Sequence, residues 1–179
     1  MQSNILKSAM SHGLILGVLF SVNFLLGITG NAWLKLLSNF VMVAILVAVY
    51  KMSVRFRDND CKGVITYGKA FSLIVLMFFF AAIISSLVKY IYFQFINPDY
   101  LENLLQQSLL MYEAFLSKLP LSMSTEEIYE NMGTIITPIS FSLQYIWANV
   151  FAGVFVGLIM AGFVKKDKGL FDDKKEVQG

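Results

Sequence analysis

Four long apolar runs alternate with polar segments along the chain. A hydrocarbon core of about 30 Å is crossed by roughly 20 helical residues, so the runs predict transmembrane helices over about 9–28, 33–50, 69–93 and 138–164. Gly27 and Gly30 close the first. Trp33 and Lys35 open the second as an aromatic anchor and a snorkelling lysine would, and Tyr50 with Lys51 suits its other end. A polar loop from Arg55 to Gly63 then leads to Thr66, an N-cap for the third helix. Asn97 and Pro98 end that helix, because proline cannot donate to the helical ladder and restricts the residue before it.

The segment 99–133 has a different rhythm. Asp99 and Glu102 have capping-box spacing, and Leu101, Leu104, Leu105, Tyr112, Phe115, Leu116 and Leu119 form a helical stripe with Glu102, Gln106, Gln107 and Glu113 off it. This predicts an amphipathic helix, ended by Pro120. Ser124 and Glu127 begin a short second one that Gly133 closes. Pro138 falls in the first turn of the last span, and a tail over 165–179 follows. The expected fold class is all-α: one integral membrane domain over 1–179, a four-helix bundle with an extracytoplasmic amphipathic helical hairpin between helices three and four.

Composition agrees, with 57% hydrophobic residues among 179 and a mean hydropathy of +0.67, more than a water-exposed surface tolerates. The net charge of +2 is small and the basic residues are scattered, which excludes a nucleic-acid surface. Their placement orients the chain. Lys51, Arg55, Arg57, Lys62 and Lys69 lie between helices two and three, and Lys165, Lys166, Lys168, Lys174 and Lys175 follow helix four. The opposite side carries Lys35 and Lys118 among Asp99, Glu102, Glu113, Glu126, Glu127 and Glu130. The positive-inside rule therefore puts both termini in the cytoplasm. The first run imitates a cleaved signal peptide only weakly, being long and followed by another span, so it reads as a retained helix. Cys61, the single cysteine, excludes an intramolecular disulfide and falls in a reducing compartment.

On this layout the chain resembles a family of small bacterial membrane proteins known as domain of unknown function 4199. The resemblance spans nearly the whole chain. It is carried by the four runs, by Arg55-Phe56-Arg57-Asp58, by Ile65-Thr66-Tyr67-Gly68-Lys69-Ala70-Phe71 entering helix three, and by Asn97-Pro98-Asp99-Tyr100 leaving it. It implies an inner-membrane location in Gram-negative bacteria and carries no catalytic residues across.

Small residues recur every fourth position at Ala9, Gly13 and Gly17 and again at Gly153, Gly157 and Ala161. Lipid offers helices no hydrophobic reason to associate, so such stripes permit close van der Waals approach. Both stripes fall in the expected cytoplasmic half, which suggests that helices one and four pack on each other. Within the spans, the candidate polar site is His12, Asn23, Lys89 and Asn149. His12 and Asn23 are three turns apart on one face, where they could line a proton or ion path, or simply hydrogen-bond a neighbouring helix through Gln144 or Asn149. Lys89, near the outer end of helix three, is expected to snorkel towards Tyr90, Tyr92 and Asp99.

Arg55, Arg57, Lys62 and Lys69 are candidate contacts for anionic lipid head groups, although such residues commonly do no more than set topology. Asp58 and Asp60 lack the later ligands of a calcium loop, and a lone histidine makes no metal site. No metal or other cofactor is expected. The chain also lacks paired carboxylates, a nucleophile with a base, and a phosphate loop, so no enzyme is expected. The leading expectation is a non-enzymatic component of the membrane that assembles with envelope proteins. The acidic outer hairpin, ill-suited to an anionic lipid surface, is expected first to cap the bundle and, as the alternative, to serve as the contact surface. The alternative is a small oligomeric transporter or channel subunit using His12, Asn23 and Lys89.

Overall fold

The structure is a computed structural model and describes residues 2–116, 131, 133–134 and 136–167. The described chain is helical: α1 (Gln2–Ile28), α2 (Ala32–Asp60), α3 (Tyr67–Ile91), a π-helical turn (Tyr92–Ile96), α4 (Asp99–Leu116) and α5 (Pro138–Val164). No strand occurs among the described residues, where the only extended pairing is an isolated bridge between Ile65 and Lys166. Four helices are long and apolar enough to cross a membrane, over Ile5–Ile28, Ala32–Asp60, Tyr67–Ile96 and Pro138–Val164. The chain is a multi-pass membrane protein. The expected short helix from Ser124 and the tail beyond residue 167 lie outside the described residues.

Local chemistry sets the helix starts. Asn31 Oδ1 accepts from the Trp33 N–H at 2.9 Å and caps α2. Thr137 Oγ1 accepts from the Ser140 N–H at 3.2 Å ahead of α5, leaving Pro138 in the first turn, where its missing N–H costs nothing. The residues expected as a polar loop after helix two are corrected by the structure, since α2 continues through Arg55 and Arg57 to Asp60. Its 29 residues extend about 43 Å, some 13 Å more than the hydrocarbon core. The charged final turns therefore leave the apolar layer still helical. Helix three is also longer than expected, because the π turn carries it to Ile96 before Asn97 donates its N–H to the Tyr92 carbonyl at 2.9 Å.

The chain divides into two compact units, residues 1–84 with 148–179, and residues 85–147. In the first unit α3 is the hub. Its Ala70, Leu73, Ile74, Met77 and Ala81 are fully buried, with Ala9 and Leu16 of α1, Ile45 and Val49 of α2, and Ala161 and Val164 of α5 in the same core.

The glycine stripes explain how α3 is approached so closely. A Cβ at Gly13 would lie 2.6 Å from Phe80 Cβ, and one at Gly17 would lie 2.6 Å from Ile84 Cβ. On α5, a Cβ at Gly153 would lie 2.5 Å from Phe78 Cβ, and one at Gly157 3.1 Å from the Phe71 ring. The expectation that the two stripes pack on each other is thus corrected, for each faces α3. Phe80 and Ile84 lie about 150° around that helix from Phe71 and Phe78, so α1 and α5 take separate faces of it.

In the second unit, Phe93 of the π turn stacks on Tyr100 of α4 at 5.5 Å and meets Phe141 of α5 edge-on at 5.4 Å. Leu101 and Leu105 turn inward from α4, while Leu110 and Met111 are exposed.

Candidate functional site

The four polar residues singled out in the spans fall in separate settings. Asn23 on α1 accepts a hydrogen bond from Ser38 Oγ on α2, with Oγ to Oδ1 at 2.9 Å. Gly27, one turn further along α1, would place a Cβ 3.3 Å from the same hydroxyl. The partner of Asn23 is therefore Ser38, a residue that the sequence did not single out. Ser38 lies in a run of apolar residues and looks like a helix-compatible filler until its neighbour is known.

His12 is about 16 Å along α1 from Asn23 and belongs to another environment. It is half-buried and lines an open recess of 330 Å³ with Lys7, Ser8, Ser11 and Asp60. Its Nδ1 is enclosed and makes no well-aligned hydrogen bond, with the Ser8 carbonyl one turn back acting on the ring. Asn149 is half-buried on α5. His12, Asn23 and Asn149 all belong to the first unit, whereas Lys89 belongs to the second.

Lys89 does not snorkel to the surface. It is 1% exposed, with Nζ 2.9 Å from the centroid of the Tyr145 ring. The ring's negative face attracts the ammonium and offsets part of the cost of burying it. Helical spacing puts Ser85, Ser86 and Phe93 on the Lys89 side of α3, and both serines are buried. Ser86 Oγ donates to the Ser142 carbonyl of α5 at 2.5 Å, and Ser142 Oγ is buried without a partner. The second unit thus has a polar core of one lysine and three serines beside an aromatic cluster. Lys89 was legible in the sequence as an intramembrane charge. The serines were not, although Ser85 and Ser86 stand four and three residues before Lys89, a spacing that was the available signal for those two.

The basic candidates also separate. Arg57 Nε pairs with Asp58 Oδ1 at 2.8 Å, and its Nη1 donates to the carbonyl of Val164, the last residue of α5, at 3.3 Å. A cation at a helix C-terminus stabilises unsatisfied carbonyls there, so Arg57 fastens α5 to the end of α2. The Ile65–Lys166 bridge adds two backbone hydrogen bonds of 3.0 Å close by. Arg55 and Lys62 are exposed, the latter with φ of 54° ahead of Gly63. Lys69 is half-buried beside a mostly apolar recess lined by Ile5, Leu6, Ser72 and Leu76.

Cys61 is half-buried after α2, where burial pushes its thiol above the ordinary value. Among the described residues no three histidine, cysteine or acidic side chains come together as a metal site.

A family model described as Protein of unknown function (DUF4199) matches residues 11–166. No curated protein and no solved structure matches the chain.

Proposed function

We propose that this chain, which belongs to the DUF4199 family, is a non-enzymatic accessory protein of the bacterial inner membrane that assembles with other envelope proteins. In this reading it is a four-helix bundle with both termini in the cytoplasm, and segment 99–133 lies on the opposite face as the contact surface. The observation that carries it is the use of polar groups inside the spans to tie helix to helix. Ser38 donates to Asn23 between α1 and α2, and Ser86 donates to the Ser142 backbone between α3 and α5. Such ties favour a fixed assembly over a solvated path. The contact surface is supported by α4, whose Leu110 and Met111 are exposed one turn beyond the exposed Gln106 and Gln107.

One observation favours a second reading as a subunit of an oligomeric transporter or channel. Lys89 and three serines form a buried polar core, and intramembrane charges commonly mark ion or substrate paths.

A photo-crosslinking residue at Met111 in the full chain, expressed in its own membranes, separates the two. The assembly reading expects one dominant crosslinked product with a different envelope protein, lost when Leu110 is changed to Glu. Products with further copies of this chain alone, together with ion flux in proteoliposomes that Lys89→Met abolishes, would favour the transporter. Labelling by an impermeant thiol reagent, with single cysteines at Ser3, Gly30, Asn59, Ser117 and Gln178 in a Cys61→Ser background, tests the topology. Only Gly30 and Ser117 should react in intact cells.

A further inference from the structure

The recess around His12 is not used by the role proposed above. It is lined by Lys7, Ser8, Ser11 and His12 from the first turns of α1 and by Asp60 at the end of α2. Ser8, Ser11 and His12 share one helix face by their i, i+3, i+4 spacing, and Lys7 stands one turn from Ser11. Lys7 and Asp60 are both exposed and line the same space, yet the ion pairs among the described residues are Arg57–Asp58 and Lys165–Asp167. Two opposite charges therefore face one recess without closing on each other. The hydroxyls of Ser8 and Ser11 and the His12 ring line the same recess.

A purely anionic ligand would meet Asp60, and a purely cationic one would meet Lys7. A ligand carrying both charges a few bonds apart satisfies both. The α1 wall of the recess also sits at the level of lipid head groups, with Asp60 further out on α2. From the Asn23–Ser38 contact, eleven residues back along α1 reach His12, and eleven forward along α2 reach Val49, next to Tyr50 and Lys51. Tyrosine and lysine at the end of a span mark the level of lipid head groups.

We propose that the recess lined by Lys7, Ser8, Ser11, His12 and Asp60 binds the phosphoethanolamine head group of a zwitterionic membrane phospholipid. Lys7 and the serine hydroxyls hold the phosphate, and Asp60 accepts from the ammonium. The proposal uses the topology given above only to assign the cytoplasmic leaflet as the source.

Native mass spectrometry of the full chain in a neutral detergent tests it. The lipids are equimolar phosphatidylethanolamine and phosphatidylglycerol of the same acyl chains, with glycerophosphoethanolamine as a soluble competitor. The unmodified protein should retain the ethanolamine lipid over the glycerol lipid by about threefold, the size of one exposed charge contact. Asp60→Asn should bring the two to parity, because only the ammonium is read there. Lys7→Ala should weaken both lipids, and the soluble head group should compete poorly.

Equal retention by the unmodified protein overturns the proposal, as does a preference unchanged in Asp60→Asn. Full competition by the soluble head group also overturns it, making the occupant a free zwitterion. Both substituted residues are exposed, and the thermal unfolding midpoint checks that the variants fold. Binding in detergent is read without any partner protein, so its failure leaves the assembly role standing, and crosslinking at Met111 tests that role separately.

Discussion

Replacing Gly153 with alanine isolates the steric contribution of the closest helix contact in the first unit. The new Cβ would stand 2.5 Å from Phe78 Cβ and 2.7 Å from its Cγ, whereas carbon atoms pack at about 3.5–4.0 Å. The first of these atoms sits on the α3 backbone and cannot swing away, so α3 and α5 must part by about 1 Å. Overpacking of this kind costs about 1–3 kcal/mol. A gain of about 1 kcal/mol in helix propensity opposes it, and the matched control Gly162→Ala removes that gain from the comparison. Gly162 lies on the same helix, and a Cβ there meets nothing within 4 Å.

The difference between the two variants should therefore be about 1–3 kcal/mol, with Gly153→Ala the less stable. Gly157→Ala should fall between them, because the Phe71 ring carbons at 3.1 and 3.3 Å can yield by rotation. Unfolding of the purified protein by sodium dodecyl sulfate in mixed micelles, followed by circular dichroism, measures the order. Equal stability of Gly153→Ala and Gly162→Ala would refute the close approach of α5 to α3.

Ser38→Ala removes the donor to Asn23 and should cost about 0.6 kcal/mol, with a coupling of similar size in the Asn23→Ala, Ser38→Ala double-mutant cycle measured by the same titration. Lys89→Met keeps the side-chain volume and removes a buried charge, so its stability should equal or exceed that of the unmodified protein. Tyr145→Leu should lose about 2 kcal/mol by taking the ring from under the ammonium, and both variants are read in the same titration. The Cys61 thiol is raised by burial, so thiolate forms later as pH rises. Its labelling by a disulfide reagent should reach half its maximal rate at a higher pH than that of a free cysteine peptide, and a lower half-point would contradict the burial.

The four spans and the amphipathic α4 could be read from the chain because their signals are local. Twenty apolar residues in a row, or leucines on one helical face, need no knowledge of what lies across from them. The helical end of α2 was not legible. Arg55, Arg57, Asp58 and Asp60 have the composition of a loop, and only the length of the helix beyond the hydrocarbon and the reach of Arg57 to the Val164 carbonyl distinguish the two states.

The same division holds for the candidate site. Glycine spacing announced that something approaches α1 and α5 closely, but a missing side chain carries no identity for its neighbour, and α3 was the neighbour of both. Asn23 and Lys89 were conspicuous as polar residues in apolar runs, whereas their partners, Ser38 and Tyr145, lie 15 and 56 residues away in sequence. Hydropathy along the chain determined which segments enter the membrane. The tertiary structure alone decided which polar groups satisfy one another, because hydrogen bonds and cation–ring contacts act over a few ångströms of space whatever the separation in sequence.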